Sequence, residues 1–272
     1  MDFFYENRID LLEDGMSIYE NENFNFLAHW HTEVELVYVI EGEIYVGVNN
    51  NGCLLNAGDM VVCSSGDIHY YESVNFTSRI LVLIFKPELV GLSANCSETL
   101  HFSSPFISKE DINTKGLSDI KNILYFIMEE KQKKVKYFDL LIKAKLIELC
   151  GLLLRYQDTY NLKRKPVSNL KSMQNILNYI ENTYTNDISL EDVSKHFNIN
   201  KYNLSRQINA VTGTNFKTYI NSMKVMKAED LILNTTKPLT EIALECGFNS
   251  IRTFNRVYKH LKGCVPSSVR RL

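Results

Sequence analysis

The sequence has no CxxC pair, and its six cysteines (Cys53, Cys63, Cys96, Cys150, Cys246 and Cys264) are scattered along 272 residues. Such spacing argues against a zinc finger or a disulfide framework and points to a reducing compartment. No apolar run reaches membrane-spanning length either. The greasiest stretch, LLIKAKLIELCGLLLRY, is interrupted by Lys143, Lys145 and Glu148 and reads as an amphipathic helix. The opening MDFFYENRIDLLED lacks the basic start of a signal peptide, so a cytoplasmic location with no membrane partner is expected. Basic charge is scarce at one end of the chain. Residues 1–95 hold 3 Lys+Arg against 15 Asp+Glu, whereas residues 168–272 hold 14 against 8. That polarity suits a C-terminal part that touches a polyanion and an N-terminal part that does not.

Up to about residue 90 the text alternates as strands do. VELVYVI, EIYVGV, DMVVCS and SRILVLIF are β-branched and aromatic-rich, and Gly42, the NNNG at 49–52, Gly58 and Gly66 fall between them. Short strands with regular turns predict a β-sandwich or small barrel. From about residue 117 the period changes. LSDIKNILYFIMEEK and YFDLLIKAKLIELCGLLLRY carry apolar residues at three- and four-residue spacing, which predicts two helices. Their stripes are wide, so they either cap the β domain or offer a dimer surface. The predicted organisation is a β domain over 1–95, a helical connector over 96–157, a linker over 158–168 in which Pro166 ends any helical pattern, and an all-α domain over 169–272.

Within that last segment, SLEDVSKHFNINKYNLSRQINAV (189–211) reads as two helices around the turn NIN, with Ser189 and Asp192 as a capped start. Leu190, Val193, Phe197, Leu204, Ile208 and Val211 make the inward stripe. Lys201, Tyr202, Asn203, Ser205, Arg206 and Asn209 are left outside. About fifty positions on the pattern recurs: TEIALECGF closes at Gly247, Asn249 is placed to cap a second helix, and SIRTFNRVYKHL follows. Ser250, Arg252, Thr253, Asn255, Arg256 and Lys259 face out there. Two helix pairs with outward Arg in one basic segment make a case for the DNA major groove.

The stretch ISLEDVSKHFNINKYNLSRQINAVTGTNFKTYINSMKVMKAEDLILNTTKPLTEIALECGFNSIRTFNRVYKHLKGCVPSSVRR resembles the DNA-binding domain of the AraC/XylS family of bacterial transcription regulators. Its densest part is Ile242, Ala243, Gly247, Phe248, Ser250, Phe254, Arg256, Tyr258 and Lys259, followed by Gly263, Pro266 and Ser267. The resemblance implies two helix-turn-helix units joined by a long helix, here 216–234. By position it implies DNA contacts from Lys201, Tyr202, Ser205 and Arg206 in the first unit. In the second they fall on Ser250, Ile251, Arg252, Thr253, Asn255 and Arg256. Ile251 stands where a polar residue is expected, which leaves it a thymine methyl as a partner. The implied partners are promoter operator DNA, RNA polymerase and a second copy of the chain, and the implied role is activation.

The N-terminal text opens a second question. HWHTEVE (29–35) puts His29, His31, Glu33 and Glu35 at one parity, hence on one face of a strand, and imidazole with carboxylate is metal-site chemistry. The β text is similar to the cupin-like (jelly-roll) sensor domain that often precedes this DNA-binding domain. HxHxxxE at 29–35 followed by Gly42, and Gly58 followed by Ser64, Ser65, Gly66 and His69, match the two cupin motifs, with Ser64 in place of the usual proline. Cupin metal ligands fall at His29, His31, Glu35 and His69, a set suited to iron, manganese, nickel or zinc. In the regulator family the same cup usually holds an organic effector. The expectation is therefore a small-molecule effector contacted by His29, His31, Glu33, Glu35 and His69, no required cofactor and no catalysis. A divalent transition metal in the cup is the other occupant. Two alternatives are a regulator controlled by a protein partner and a cupin metalloenzyme fused to a DNA-binding domain.

Overall fold

The computed structural model describes residues 15–91, 104–159 and 169–270. They divide into two compact units, one up to Leu170 and the other from Lys171. Among them, no helix is long and apolar enough to cross a membrane. Five cysteines are free thiols, and Cys63, Cys150 and Cys246 are buried; Cys96 lies outside the described residues.

The N-terminal unit is one antiparallel sheet of seven strands: β1 (Met16–Glu22), β2 (Phe26–His29), β3 (Val34–Val48), β4 (Asn51–Asn56), β5 (Met60–Cys63), β6 (His69–Phe85) and β7 (Phe106–Ile107). The order is β1-β6-β3-β5-β7, with β2 added on β6 and β4 on β3. The expected runs VELVYVI and EIYVGV form the single long strand β3, so Gly42 lies inside a strand and not between two. It sits at a bulge, where the β3–β6 register shifts between Val39 and Ile44. Gly42 has φ 73°, and a Cβ there would run into the Thr77 carbonyl, so only glycine fits.

The bulge reverses parity. Before it, Val37 and Val39 point into the sheet's inner core with Ile80, Val82 and Ile84; after it, Ile44, Val46 and Val48 do so. The opposite face, with Leu36, Tyr38, Leu81, Leu83 and Phe85, packs against helices α1 (Lys109–Thr114), α2 (Ile120–Lys133) and α3 (Phe138–Thr159). Ile120, Ile123, Leu124, Ile127, Leu146, Leu149 and Leu153 fill that layer. Of the two expected roles for these helices, capping the β domain is therefore realised. Helix α3 runs through Thr159, two residues into the segment read as linker; residues 160–168 lie outside the described residues.

The C-terminal unit is all helical: α4 (Leu170–Thr183), α5 (Leu190–Phe197), α6 (Lys201–Thr212), α7 (Phe216–Asn234), α8 (Leu239–Glu245) and α9 (Ile251–Lys262). Helix α7 touches α6 and also α8 and α9, as a joining helix must. Its Val225, Ala228 and Ile232 share a core with Ile242, Ala243, Phe248, Phe254, Val257 and Tyr258.

Candidate nucleic-acid interface and buried cup

The helix pair α5–α6 is built by local chemistry. Ser189 and Asp192 form a reciprocal capping box at the start of α5. At the turn, Asn198 takes a left-handed conformation (φ 52°) that asparagine tolerates. Ser194 Oγ donates to Ile199 O at 2.7 Å, and Asn200 Oδ1 accepts from the backbone N–H groups of Tyr202 and Asn203. Leu204, Ile208 and Val211 anchor α6 in the core. That orientation leaves Lys201, Tyr202 and Arg206 exposed and Ser205 half-buried, with Tyr202 83% exposed. Lys201 Nζ lies 3.5 Å from Glu191.

The second pair, α8–α9, turns at Gly247 (φ 80°), where a Cβ would collide with the Thr185 carbonyl. The N-cap of α9 is Ser250 and not Asn249 as expected: Ser250 Oγ accepts from Thr253 N at 3.2 Å. Serine and asparagine cap equally well, so chain geometry decides between neighbours. Phe254, Val257 and Tyr258 are buried, while Ser250, Ile251, Arg252, Asn255 and Arg256 are exposed and Thr253 half-buried. Sequence reasoning missed Lys224 of α7. It is buried, donates from Nζ to Gly247 O at 2.7 Å, and stands 5.7 Å from the Phe248 ring centre. Burial pushes its ammonium below the ordinary lysine value, against the charge of Asp187. A lysine inside the apolar period of α7 was the available signal.

In the N-terminal unit HWHTEVE is not one strand. β2 ends at His29, the chain bends at Thr32 and Glu33, and β3 begins at Val34. The bend nevertheless gathers the residues the sequence pointed to. His29, His31, Glu35 and His69 are each 1% exposed, and one ligand atom from each lies within 4.8 Å of the others. Glu33 is buried beside them, its Oε2 3.7 Å from His31 Nδ1, but it does not join that set.

The three rings share one arrangement. Nδ1 of His29 donates to Leu27 O at 3.0 Å, Nδ1 of His31 to Glu33 O at 3.2 Å, and Nδ1 of His69 to Asp67 O at 2.8 Å. A carbonyl only accepts, so each Nδ1 carries a proton, and each Nε2 turns to the cluster. His31 Nε2 lies 3.0 Å and His69 Nε2 3.7 Å from Glu35 Oε2. Burial would raise the Glu35 carboxyl, but the hydrogen bond from His31 and the charge of His31 and His69 hold it well below the usual range.

A surrounding layer went unread in the sequence. Tyr71 Oη donates to Glu35 Oε1 at 2.6 Å. Asp67 is held by Asn49 Nδ2 at 2.6 Å and Ser64 N at 3.0 Å, which fixes the turn that presents His69. These contacts join positions up to 36 apart in sequence, which no local pattern reveals. The donor set fits a divalent transition metal. Three imidazoles anchored through Nδ1 and one carboxylate, itself hydrogen-bonded, are the arrangement such ions use.

The family-level comparisons agree with these two units. Residues 193–272 match the helix-turn-helix domain family, and residues 13–84 match the cupin domain family. The HTH-type transcriptional activator RhaS of Klebsiella pneumoniae is 23% identical over 247 residues, covering 90% of this chain and 87% of RhaS. An uncharacterized HTH-type transcriptional regulator of Staphylococcus aureus is 22% identical over 233 residues, 86% of this chain. This chain spans only 31% of that relative's length. The crystal structure of unsaturated fatty acid bound ToxT from Vibrio cholerae covers 93% of each chain at 16% identity, with a TM-score of 0.43. A cupin unit followed by two helix-turn-helix pairs defines a two-domain architecture. In both units the chain is similar to regulators of the AraC/XylS type.

Proposed function

We propose that this protein is a sequence-specific DNA-binding transcriptional regulator, an activator working with RNA polymerase, controlled by what its N-terminal cup binds. The single observation that carries the reading is the pair of capped helices α6 and α9. Each buries one apolar face and presents Tyr202, Ser205 and Arg206, or Arg252, Thr253, Asn255 and Arg256, outward. Arginine reads guanine edges or phosphate, and asparagine reads adenine. Arg206→Ala and Arg252→Ala are each expected to weaken operator binding by about 1–3 kcal/mol and to relax preference at distinct base positions. Gel-shift titration against an operator set checks this; unchanged affinity in both variants would refute it.

The cup supports a second reading of the signal. An organic effector needs open space among hydrogen-bonding groups, whereas the four donor atoms here converge on a volume the size of an ion. A divalent transition metal is the occupant that this geometry favours, with His29, His31, Glu35 and His69 as ligands. Bound there, it would supply a fixed charge that ties β2, β3 and β6 together. Catalysis is not part of the reading, which asks only that these four side chains hold the ion. Inductively coupled plasma mass spectrometry of the purified chain should find roughly one equivalent of metal, lost in His31→Ala. Metal-free protein whose melting point rises with an organic ligand instead would restore the effector reading.

A further inference from the structure

Tyr71 walls the cup on one side and reaches it through a candidate ligand. Its Oη donates to Glu35 Oε1 at 2.6 Å, while the other oxygen, Oε2, faces His31 Nε2 at 3.0 Å and His69 Nε2 at 3.7 Å. One carboxylate is thus divided between two directions, one oxygen to the imidazoles and one to the phenol. The Tyr71 ring is buried, its centre 5.1 Å from that of Phe24 and 5.8 Å from that of His69. Cys63 lies opposite Glu35 on the neighbouring strand, but its Sγ is 3.8 Å from Tyr71 Oη and is not among the four converging donors. The remaining walls are apolar. Ile84 is opposite Glu35 on β6, and the Phe26 ring stands edge-on to His29 with 4.4 Å between centres.

We infer that Tyr71 confines Glu35 to a single ligand oxygen and so makes the cup a closed four-coordinate site, selecting zinc over manganese and other ions that prefer six ligands. The inference rests on the metal reading of the cup and adds to it the ion and the residue that chooses it. Three imidazole nitrogens and one carboxylate oxygen are four donors, the number zinc takes in sites closed to solvent. A fifth donor could only come from Glu35 Oε1 or from water. Swinging Oε1 toward the ion breaks its bond from Tyr71 and strips a buried phenol of its acceptor, which costs free energy. A bound water needs acceptors for its own protons, and Phe26 and Ile84 beside the donors offer none. Manganese is best served by six ligands rich in oxygen, whereas zinc has no geometric preference of its own and accepts four. By engaging Cys63 as well, Tyr71 keeps a soft thiol turned from the ion and the set at three nitrogens and one oxygen.

Cobalt(II) reports the ligand number in the full chain without any variant. Protein stripped with a chelator and titrated with cobalt(II) should turn blue, with the intense visible bands of a four-coordinate ion, and zinc should displace it. A pale pink, weakly absorbing complex is the mark of six ligands and overturns the inference even though metal is bound. The bands should be absent in His31→Ala, which assigns them to the cup; bands that persist there overturn it too. Tyr71→Phe keeps the ring and frees Oε1, so its cobalt bands should weaken as the ligand number rises. Any site of these donors prefers zinc to manganese, so the decisive quantity is the change in that preference. The ratio of zinc to manganese affinity, read by competition with a chelator, should fall about tenfold or more in Tyr71→Phe, the size of effect outer partners have. A Tyr71→Phe chain with the wild-type spectrum and the wild-type ratio overturns the role of Tyr71. A wild-type chain that binds none of the three ions removes the metal reading itself, and this inference with it.

Discussion

At the scale of the residue, the second helix-turn-helix pair hangs on Gly247. Its backbone is left-handed, the Thr185 carbonyl occupies the space a Cβ would need, and Lys224 Nζ holds its carbonyl. Gly247→Ala should therefore cost more than the roughly 1–2 kcal/mol of a left-handed alanine, since a collision is added. Lys224→Met leaves the Gly247 carbonyl without that donor and should cost about 1–3 kcal/mol. Urea unfolding of the full chain, monitored by helix content, measures both. A Lys224→Met chain as stable as wild type would show that the lysine is incidental to the turn. In the cup, Tyr71→Phe removes one hydrogen bond to Glu35 and leaves the ring in place. Metal affinity should fall by about 10–100-fold, as loss of an outer partner typically does, read by competition with a chelator. His29, His31, Glu35 and His69 were legible in the sequence because ligand types repeat at short spacing. Tyr71, Asn49, Asp67 and Lys224 were not, because their partners come from other strands or another helix.

At the scale of the element, caps decide where recognition helices begin. Ser250 stands at the N-terminus of α9 and is exposed there, on the face proposed to meet DNA. Ser250→Ala should lower stability by about 0.5–2 kcal/mol. Ser250→Asp keeps the cap and favours the helix dipole, so stability should hold. Its negative charge at the phosphate-facing end should nonetheless reduce DNA affinity. A gel shift beside a thermal melt separates the two effects, and equal losses in both variants would assign Ser250 to folding alone. In α5, hydrogen bonds from the Ser189 hydroxyl and backbone N–H hold the Asp192 carboxyl below its ordinary value. A depressed folded-state value means that this stabilisation is complete above the ordinary carboxylate range and is lost as pH falls through the folded value. Ser189→Ala should flatten the acid limb of stability against pH. Helices α5 to α9 were readable because capping residues and a 3.6-residue period coincide in them. The strands were read less well. The parity of β3 reverses at Gly42, and β1, β2, β4 and β7 owe their pairing to β3, β5 and β6 more than to patterns of their own.

At the scale of the whole molecule, charge separates the two units. The segment 168–272 holds 14 Lys+Arg against 8 Asp+Glu, whereas 1–95 holds 3 against 15. An acidic N-terminal unit does not compete for phosphate, so the basic C-terminal unit should carry nearly all of the proposed electrostatic affinity for DNA. Each phosphate neutralised releases condensed counterions, and the logarithm of affinity falls with the logarithm of salt at about −0.9 per contact. Lys201, Arg206, Arg252, Arg256 and Lys259 are exposed on α6 and α9. If those and a few backbone amides engage the duplex, affinity should drop by about a thousandfold between 50 and 200 mM salt. Arg256→Ala should reduce the slope by about one if its partner is a phosphate. The same change should leave the slope intact and alter base preference if its partner is a base edge. Fluorescence anisotropy of labelled operator across a salt series measures both. A slope near zero in the wild-type chain would mean that α6 and α9 do not dock on DNA.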